Sequence, residues 1–297
     1  MTGWTQKRAD IHIQLSQSGE NMSPEQIIVL AIVQGITEFL PISASGHLIL
    51  IPAFTDWPDQ GVATDVMVHV GSLVAVLVYF WRDVIRLVVG GLNLLRGRVT
   101  PDGLIAIYII LATIPAVVFG LYLKQSGVGA ALRSVEVIAW NAIIFGILMY
   151  VADIVGKRTK AMEDMRLGSA MMIGFAQALA LVPGTSRSGV TMTAARFLGF
   201  ERSEAARFSF LLGIPAIAGA GAVTMLEFAE AGQPVPSDAL WAAFLTFFSA
   251  IAAIALLMAV VKRTSFLIFV LYRLALGLIL FALLYNWIPG ISIDLTV

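Results

Sequence analysis

Six apolar stretches, each long enough to cross a bilayer as a helix, set the terms on which this 297-residue chain can fold. They are Val66–Tyr79, running on through Trp81, then Leu104–Leu123, Val135–Val155, Phe208–Leu226, Leu240–Val261 and Phe266–Ile288, each bounded by charged or turn residues. A soluble fold would have to bury six such helices completely. Only 13% of residues are charged and the mean hydropathy is +0.88, whereas a soluble domain is about one quarter charged. The fold class is therefore an all-α polytopic membrane protein. A net charge of zero offers no footprint for nucleic acid. The absence of cysteine excludes disulfides and thiolate chemistry. Residues Met1–Asn21 are polar, lack the apolar core of a signal peptide, and are expected to form a flexible extension. Residues 22–297 are expected to form one membrane domain.

Basic residues sort to one side. Arg82, Arg86, Arg96 and Arg98 lie between the first two spans, Lys157, Arg158, Lys160 and Arg166 follow the third, and Lys262 and Arg263 follow the fifth. The loops Pro52–Asp65 and Glu227–Asp238 carry acids but no bases. The positive-inside rule places the basic loops in the cytoplasm and the acidic ones outside. The stretch Leu167–Arg207 then starts and ends on the same side, and Pro183, Gly184 and Gly189 break its middle. That pattern predicts a hairpin that enters the membrane and returns, which is tolerated where the broken backbone is buried or lines a cavity. Pro24–Pro52, broken at Pro41, predicts a second hairpin from the opposite side. The chain thus divides into two inverted repeats, 22–156 and 157–297, each a re-entrant hairpin followed by three spans. Gln34–Gly46 loosely matches Gln177–Gly189, with a one-residue shift at the proline.

The two breaks hold the chemistry. Gln34 and Glu38 are four apart and share a helix face. Ser43 and Ser45 follow Pro41, and Ser45 is positioned to cap a helix starting at Gly46, with His47 in its first turn. In the second break, Gly184 and Gly189 permit close backbone approach, Ser186 or Ser188 can cap the helix through Thr191, and Arg187 sits at its mouth. If the hairpins meet, two helix N-termini face one cavity, a setting that attracts anions. Arg187 adds a donor fork suited to phosphate, and Glu38 an acid for metal binding or proton transfer. Ionisable residues inside a membrane are costly and are functional by default. His69, on an otherwise apolar span, reads as a packing or gating group, and Arg273, near the start of the last span, as a snorkelling one. Arg196, Glu201, Arg202, Glu204 and Arg207 read as a cytoplasmic boundary that pairs within itself.

Two motifs carry a resemblance. Gln34, Glu38, Phe39–Leu40–Pro41 and Gly46–His47 form the first, and Pro183–Thr191, read as Pro-Gly-x-Ser-Arg-Ser-Gly-x-Thr, the second. From about Met22 onward the chain resembles bacterial undecaprenyl-diphosphate phosphatases of the bacitracin-resistance type. The resemblance implies removal of the terminal phosphate from a long-chain prenyl diphosphate in the bacterial inner membrane. It further implies an active site opening to the outer face and dependence on a divalent cation, Mg2+ or Ca2+. On this basis Glu38, His47, Ser45, Ser186 and Arg187 are the expected catalytic residues. Gln34, Ser43, Gly184, Ser188, Gly189 and Thr191 are expected to contact substrate, and Glu38, with Gln34, the metal. Many relatives carry Glu where this chain has Gln34, and a hydroxyl where it has Ala44. The nucleophile is Ser45, Ser186 or a water, with His47 or Glu38 as base. Inverted repeats around a midplane site also fit a polyprenyl-phosphate transporter. No feature fixes an oligomeric state.

Overall fold

The computed structural model describes residues 22–55, 57, 60–132, 134–230, 232 and 234–287. The polar extension, residues 1–21, lies outside them. Chain breaks follow local chemistry. Helix α1, Pro24–Phe39, opens on Ser23, whose hydroxyl accepts from the Gln26 amide, and on a proline whose missing N–H costs nothing there. It stops at Leu40 because Pro41 disfavours a helical residue before it, and Leu40 is extended at φ −67°, ψ 141°. Helix α2 is Ala44–Phe54, α3 Gly61–Tyr79, α4 Trp81–Leu95, α5 Pro101–Ser126, α6 Val128–Ala131 and α7 Val135–Val155. In the second half α8 is Leu167–Leu179, α9 Arg187–Phe197, α10 Arg202–Glu230, α11 Ser237–Arg263 and α12 Leu267–Leu284.

Among the described residues six helices, α3, α5, α7, α10, α11 and α12, are long and apolar enough to span a membrane, matching the six stretches read from the sequence. Their outward faces carry large apolar side chains such as Ile110, Trp140, Phe248 and Leu278. The segment carrying Arg82 and Arg86 is helical and not a loop. Trp81, Ile85, Val88 and Leu92 recur at helical spacing and form an exposed stripe along α4. Helices α1 and α8, of 16 and 13 residues, reach about 24 and 20 Å at 1.5 Å per residue, short of the ~30 Å hydrocarbon core.

Packing partners repeat between the halves. Helix α11 lies on α1 and α3 as α5 lies on α8 and α10, while α3 packs on α10 and α7 on α12. Small residues let these helices approach backbone to backbone. A Cβ on Gly35 would lie 2.7 Å from the Ala250 amide nitrogen, and one on Gly174 2.2 Å from the Ala112 carbonyl. Beneath the two breaks, Phe39 meets Phe210 edge-on at 5.3 Å and Phe80 tilts against the same ring. These buried rings fix the ends of α1 and α3 against the body of α10.

The charged stretch from Arg196 to Arg207 pairs mainly outside itself. Arg207 does reach Glu204 at 3.3 Å, but it also bonds Asp83 on α4. Asp153 on α7 accepts from Arg196 Nε at 3.2 Å, from Arg202 Nε and Nη2 at 2.7 Å each, and from the Phe266 amide at 3.2 Å. Arg196 is fully buried and also donates to the carbonyls of Lys157, Phe200, Asp153 and Gly156. Asp153 therefore ties α7, α9, α10 and the start of α12 together at the basic end of the molecule. Nearness in sequence pointed to Glu201 and Glu204; nearness in space selected Asp153.

Candidate active site

The two broken segments meet. Ser43 and Ser186 occupy matching places: each precedes a helix and adopts a positive φ, 79° and 71°. Each accepts from the amide three residues on, Gly46 at 3.4 Å and Gly189 at 3.1 Å. Non-glycine residues held at such φ store about 1–3 kcal/mol of strain and cluster at functional sites. The cap of α2 is thus Ser43, where Ser45 had been expected. Helix α2 starts at Ala44, so Ser45 falls in its first turn, with its side chain outside the described ones.

Ser188 stitches the turns by donating to the Leu40 carbonyl at 3.1 Å. The larger clamp is Arg273, which does not snorkel. It is fully buried, and its guanidinium donates to Pro41 O at 3.3 Å in the first turn and to Gly184 O at 2.9 Å in the second. Two further bonds go to Asn141 O at 2.9 Å and Ala142 O at 3.2 Å on α7. Asn141 in turn donates to Pro183 O at 2.8 Å. Arg273 is the seventh residue of α12, about 9 Å into the helix. Breaking a helix frees carbonyls that need donors, and a planar five-donor group supplies several at once. Gly184, at φ 85°, also packs so closely that a Cβ would stand 2.7 Å from Ile138 Cα.

A cleft of about 360 Å³ opens beside the turns. Beside the turns its lining holds the polar Thr37, Glu38, His69, Ser186 and Arg187, and its apolar wall includes Ala44, Val66, Leu181, Ile217 and Ala220. Arg187 Nη2 lies 2.9 Å from Glu38 Oε1, an ion pair across 149 residues of sequence. Gln34 Nε2 donates to Glu38 Oε2 at 3.2 Å, and His69 Nε2 lies 3.5 Å from the same oxygen. Arg187 Nη1 donates to Ser209 O at 3.3 Å. Thr191 donates to Arg187 O at 2.7 Å and meets Ser209 Oγ at 2.6 Å. Gly213 leaves room for the guanidinium, since a Cβ there would fall 1.9 Å from Arg187 Nη1.

The expected site residues divide accordingly. Glu38, Ser186 and Arg187 line the cleft; Gln34, Thr191 and Ser188 support them from behind; Gly184 and Gly189 sit against the Arg273 clamp. His47 is not among the cleft-lining residues. Its ring bridges Ser43 O and the Tyr272 hydroxyl, both at 2.6 Å. His69, read as a packing or gating group, faces Glu38, and Arg273, Asn141, Ser209 and Gly213 entered no sequence expectation for the site. For His69 the available signal was a polar group well inside an apolar span.

As a metal site the donor set is sparse. Among the described residues no group of three His, Asp or Glu side chains could hold an ion. The Glu38 carboxylate and the buried, unpartnered Gln34 Oε1 stand beside the turns, and Asp65 lines the same cleft. That set fits a cation such as Mg2+, which is commonly held by one or two carboxylates together with substrate phosphates.

A family model described as "Bacitracin resistance protein BacA" matches residues 27–279. The undecaprenyl-diphosphatase of Erythrobacter litoralis (strain HTCC2594) is 50% identical, over 86% of this chain and 98% of that protein. Those of Roseobacter denitrificans and Jannaschia sp. (strain CCS1) are each 48% identical, over 88% and 89% of this chain and 98% and 100% of theirs.

Proposed function

This chain belongs to the bacitracin resistance protein BacA family, and we propose that the cleft at its paired turns is where it hydrolyses undecaprenyl diphosphate to undecaprenyl phosphate and inorganic phosphate. The observation that carries this assignment is the Glu38–Arg187 pair, drawn from two breaks remote in sequence and set beside Ser186 in a cleft with an apolar wall. The wall takes the first part of the prenyl tail. Arg187 and the first-turn amides of α9 hold the phosphoryl oxygens and balance the charge that develops on them. Glu38 and Gln34 Oε1 would hold a divalent cation, which supplies further neutralisation of the diphosphate when bound.

The nucleophile in this reading is water. Ser188 has one hydroxyl proton and gives it to Leu40 O, so Ser186 donates its own to Ser188 Oγ at 3.2 Å. Among the described residues no side-chain base lies within hydrogen-bond distance of Ser186 Oγ. A water instead attacks the terminal phosphorus as the bridging P–O bond breaks, its proton passes to Glu38, and undecaprenyl phosphate leaves with the bridging oxygen. Acid quenching with substrate labelled in the terminal phosphate should leave the protein unlabelled. A phosphoserine would overturn this step.

The cleft runs from Glu38 toward Asp65 and Val66 at the start of α3 and toward Gly221 and Thr224 near the end of α10. Both ends adjoin the acidic loops, so the positive-inside rule opens the site to the outer face of the inner membrane, with the Asp153 cluster at the cytoplasmic end. Single cysteines replacing Glu230 and Arg98 should then label from opposite sides; labelling from one side would sink the inverted arrangement. The decisive assay is phosphate release by purified protein in detergent, with Mg2+ or Ca2+, with chelator, and with Arg187→Ala. Cation-dependent release that is lost in the variant supports the site. Folded wild type that releases nothing would shift the reading to lipid transport.

A further inference from the structure

The Tyr272–His47 contact has no role in the hydrolysis just described. Within the proposed site, and resting on that assignment, we infer that Tyr272 is a positioning residue: its hydroxyl fixes the orientation of His47, and through His47 the strained Ser43 turn. His47 Nδ1 lies 2.6 Å from the Ser43 carbonyl, which can only accept, so Nδ1 carries the hydrogen. In the neutral ring Nε2 is then a lone pair, and the group 2.6 Å from it, the Tyr272 hydroxyl, donates. The rings stack with centroids 5.8 Å apart and planes 17° apart, which leaves the imidazole little freedom to turn.

Both nitrogens are therefore committed to fixing the first turn. The Ser43 carbonyl takes one bond from the ring and a longer one, 3.3 Å, from the His47 amide. Ser43 is the residue held at φ 79°, so a tie at its carbonyl holds the strained peptide in place. The next residue along α12, Arg273, grips Pro41 O and Gly184 O. Consecutive residues of one spanning helix thus set the first turn at both ends and bind it to the second. Glu38 stands three residues before Pro41, so play in this turn moves the carboxylate against Arg187. Misplacement by about 1 Å can cost a hundredfold in rate.

The chain has three histidines, so histidine-selective 15N labelling gives a readable spectrum, with His47→Gln assigning the signal. We expect His47 protonated at Nδ1 with a hydrogen-bonded, unprotonated Nε2, and Tyr272→Phe, which keeps the stacked ring, to shift that Nε2 resonance. In the phosphate-release assay Tyr272→Phe should lower kcat about tenfold and leave KM within about twofold, as expected when positioning and not substrate binding is lost. In a His47→Gln background the same change should cost little more. A His47 protonated at Nε2, a resonance unmoved by Tyr272→Phe, or losses that multiply in the double variant would each overturn the inference. Wild-type protein that releases no phosphate would instead overturn the assignment of the site, while the spectrum still decides the Tyr272–His47 contact.

Discussion

Replacing Arg273 by Met tests the central structural claim, that one buried guanidinium holds both broken segments. Its four partners are backbone carbonyls, on the first turn, on α7 and on the second turn. A hydrogen bond from a charged donor is worth about 1.5–3 kcal/mol net, so four contribute at least about 6 kcal/mol. Burying a cation opposes this with several kcal/mol of lost hydration, a penalty that Met does not carry. The expected net loss for Arg273→Met is about 2–4 kcal/mol, together with at least a tenfold fall in phosphate release as the turns separate. Unfolding in SDS mixed micelles, followed by tryptophan emission, gives the first quantity, and the detergent assay the second. Arg273→Lys should recover part of the stability, because an ammonium has three donors but not the planar fork. If Arg273→Met unfolds within about 0.5 kcal/mol of wild type, the size of a routine surface change, and stays fully active, the residue does not clamp the turns.

Three other outcomes follow from the same geometry. Gly213→Ala places a methyl 1.9 Å from where Arg187 Nη1 now lies; phosphate release should fall about a hundredfold with little change in the unfolding midpoint, and unchanged kinetics would show that Arg187 does not need that position. Ser186→Gly relieves about 1–3 kcal/mol of φ strain for a few tenths lost at the cap, so unfolding should report a gain near 1 kcal/mol while release falls no more than about tenfold; complete loss of turnover would return Ser186 to the role of nucleophile. Asp153→Asn leaves Arg196 and Arg202 short of their shared carboxylate and should destabilise by about 3–5 kcal/mol, while activity per folded molecule is kept; a variant that is stable but inactive would place Asp153 in the catalytic pathway.

What the sequence determined by itself was whatever depends on a window of neighbouring residues. Transfer free energy sums along a stretch, so the six spans stood out. Proline and glycine act on their own dihedrals, so both breaks could be located, and the expense of charge in hydrocarbon picked out Glu38 and Arg187. Even here the window blurred at α4, where arginines suggested a loop and the apolar spacing made a helix. The tertiary structure decided which distant groups face one another. Glu38 pairs with an arginine 149 residues away, His69 turns to the same carboxylate, and Asp153 gathers the arginines that sequence neighbours were expected to hold. Arg273 marks the limit most sharply. A long cation near a span's end reads the same whether it reaches toward water or bonds four carbonyls, and only the helices packed around it determine which acceptors lie within its reach.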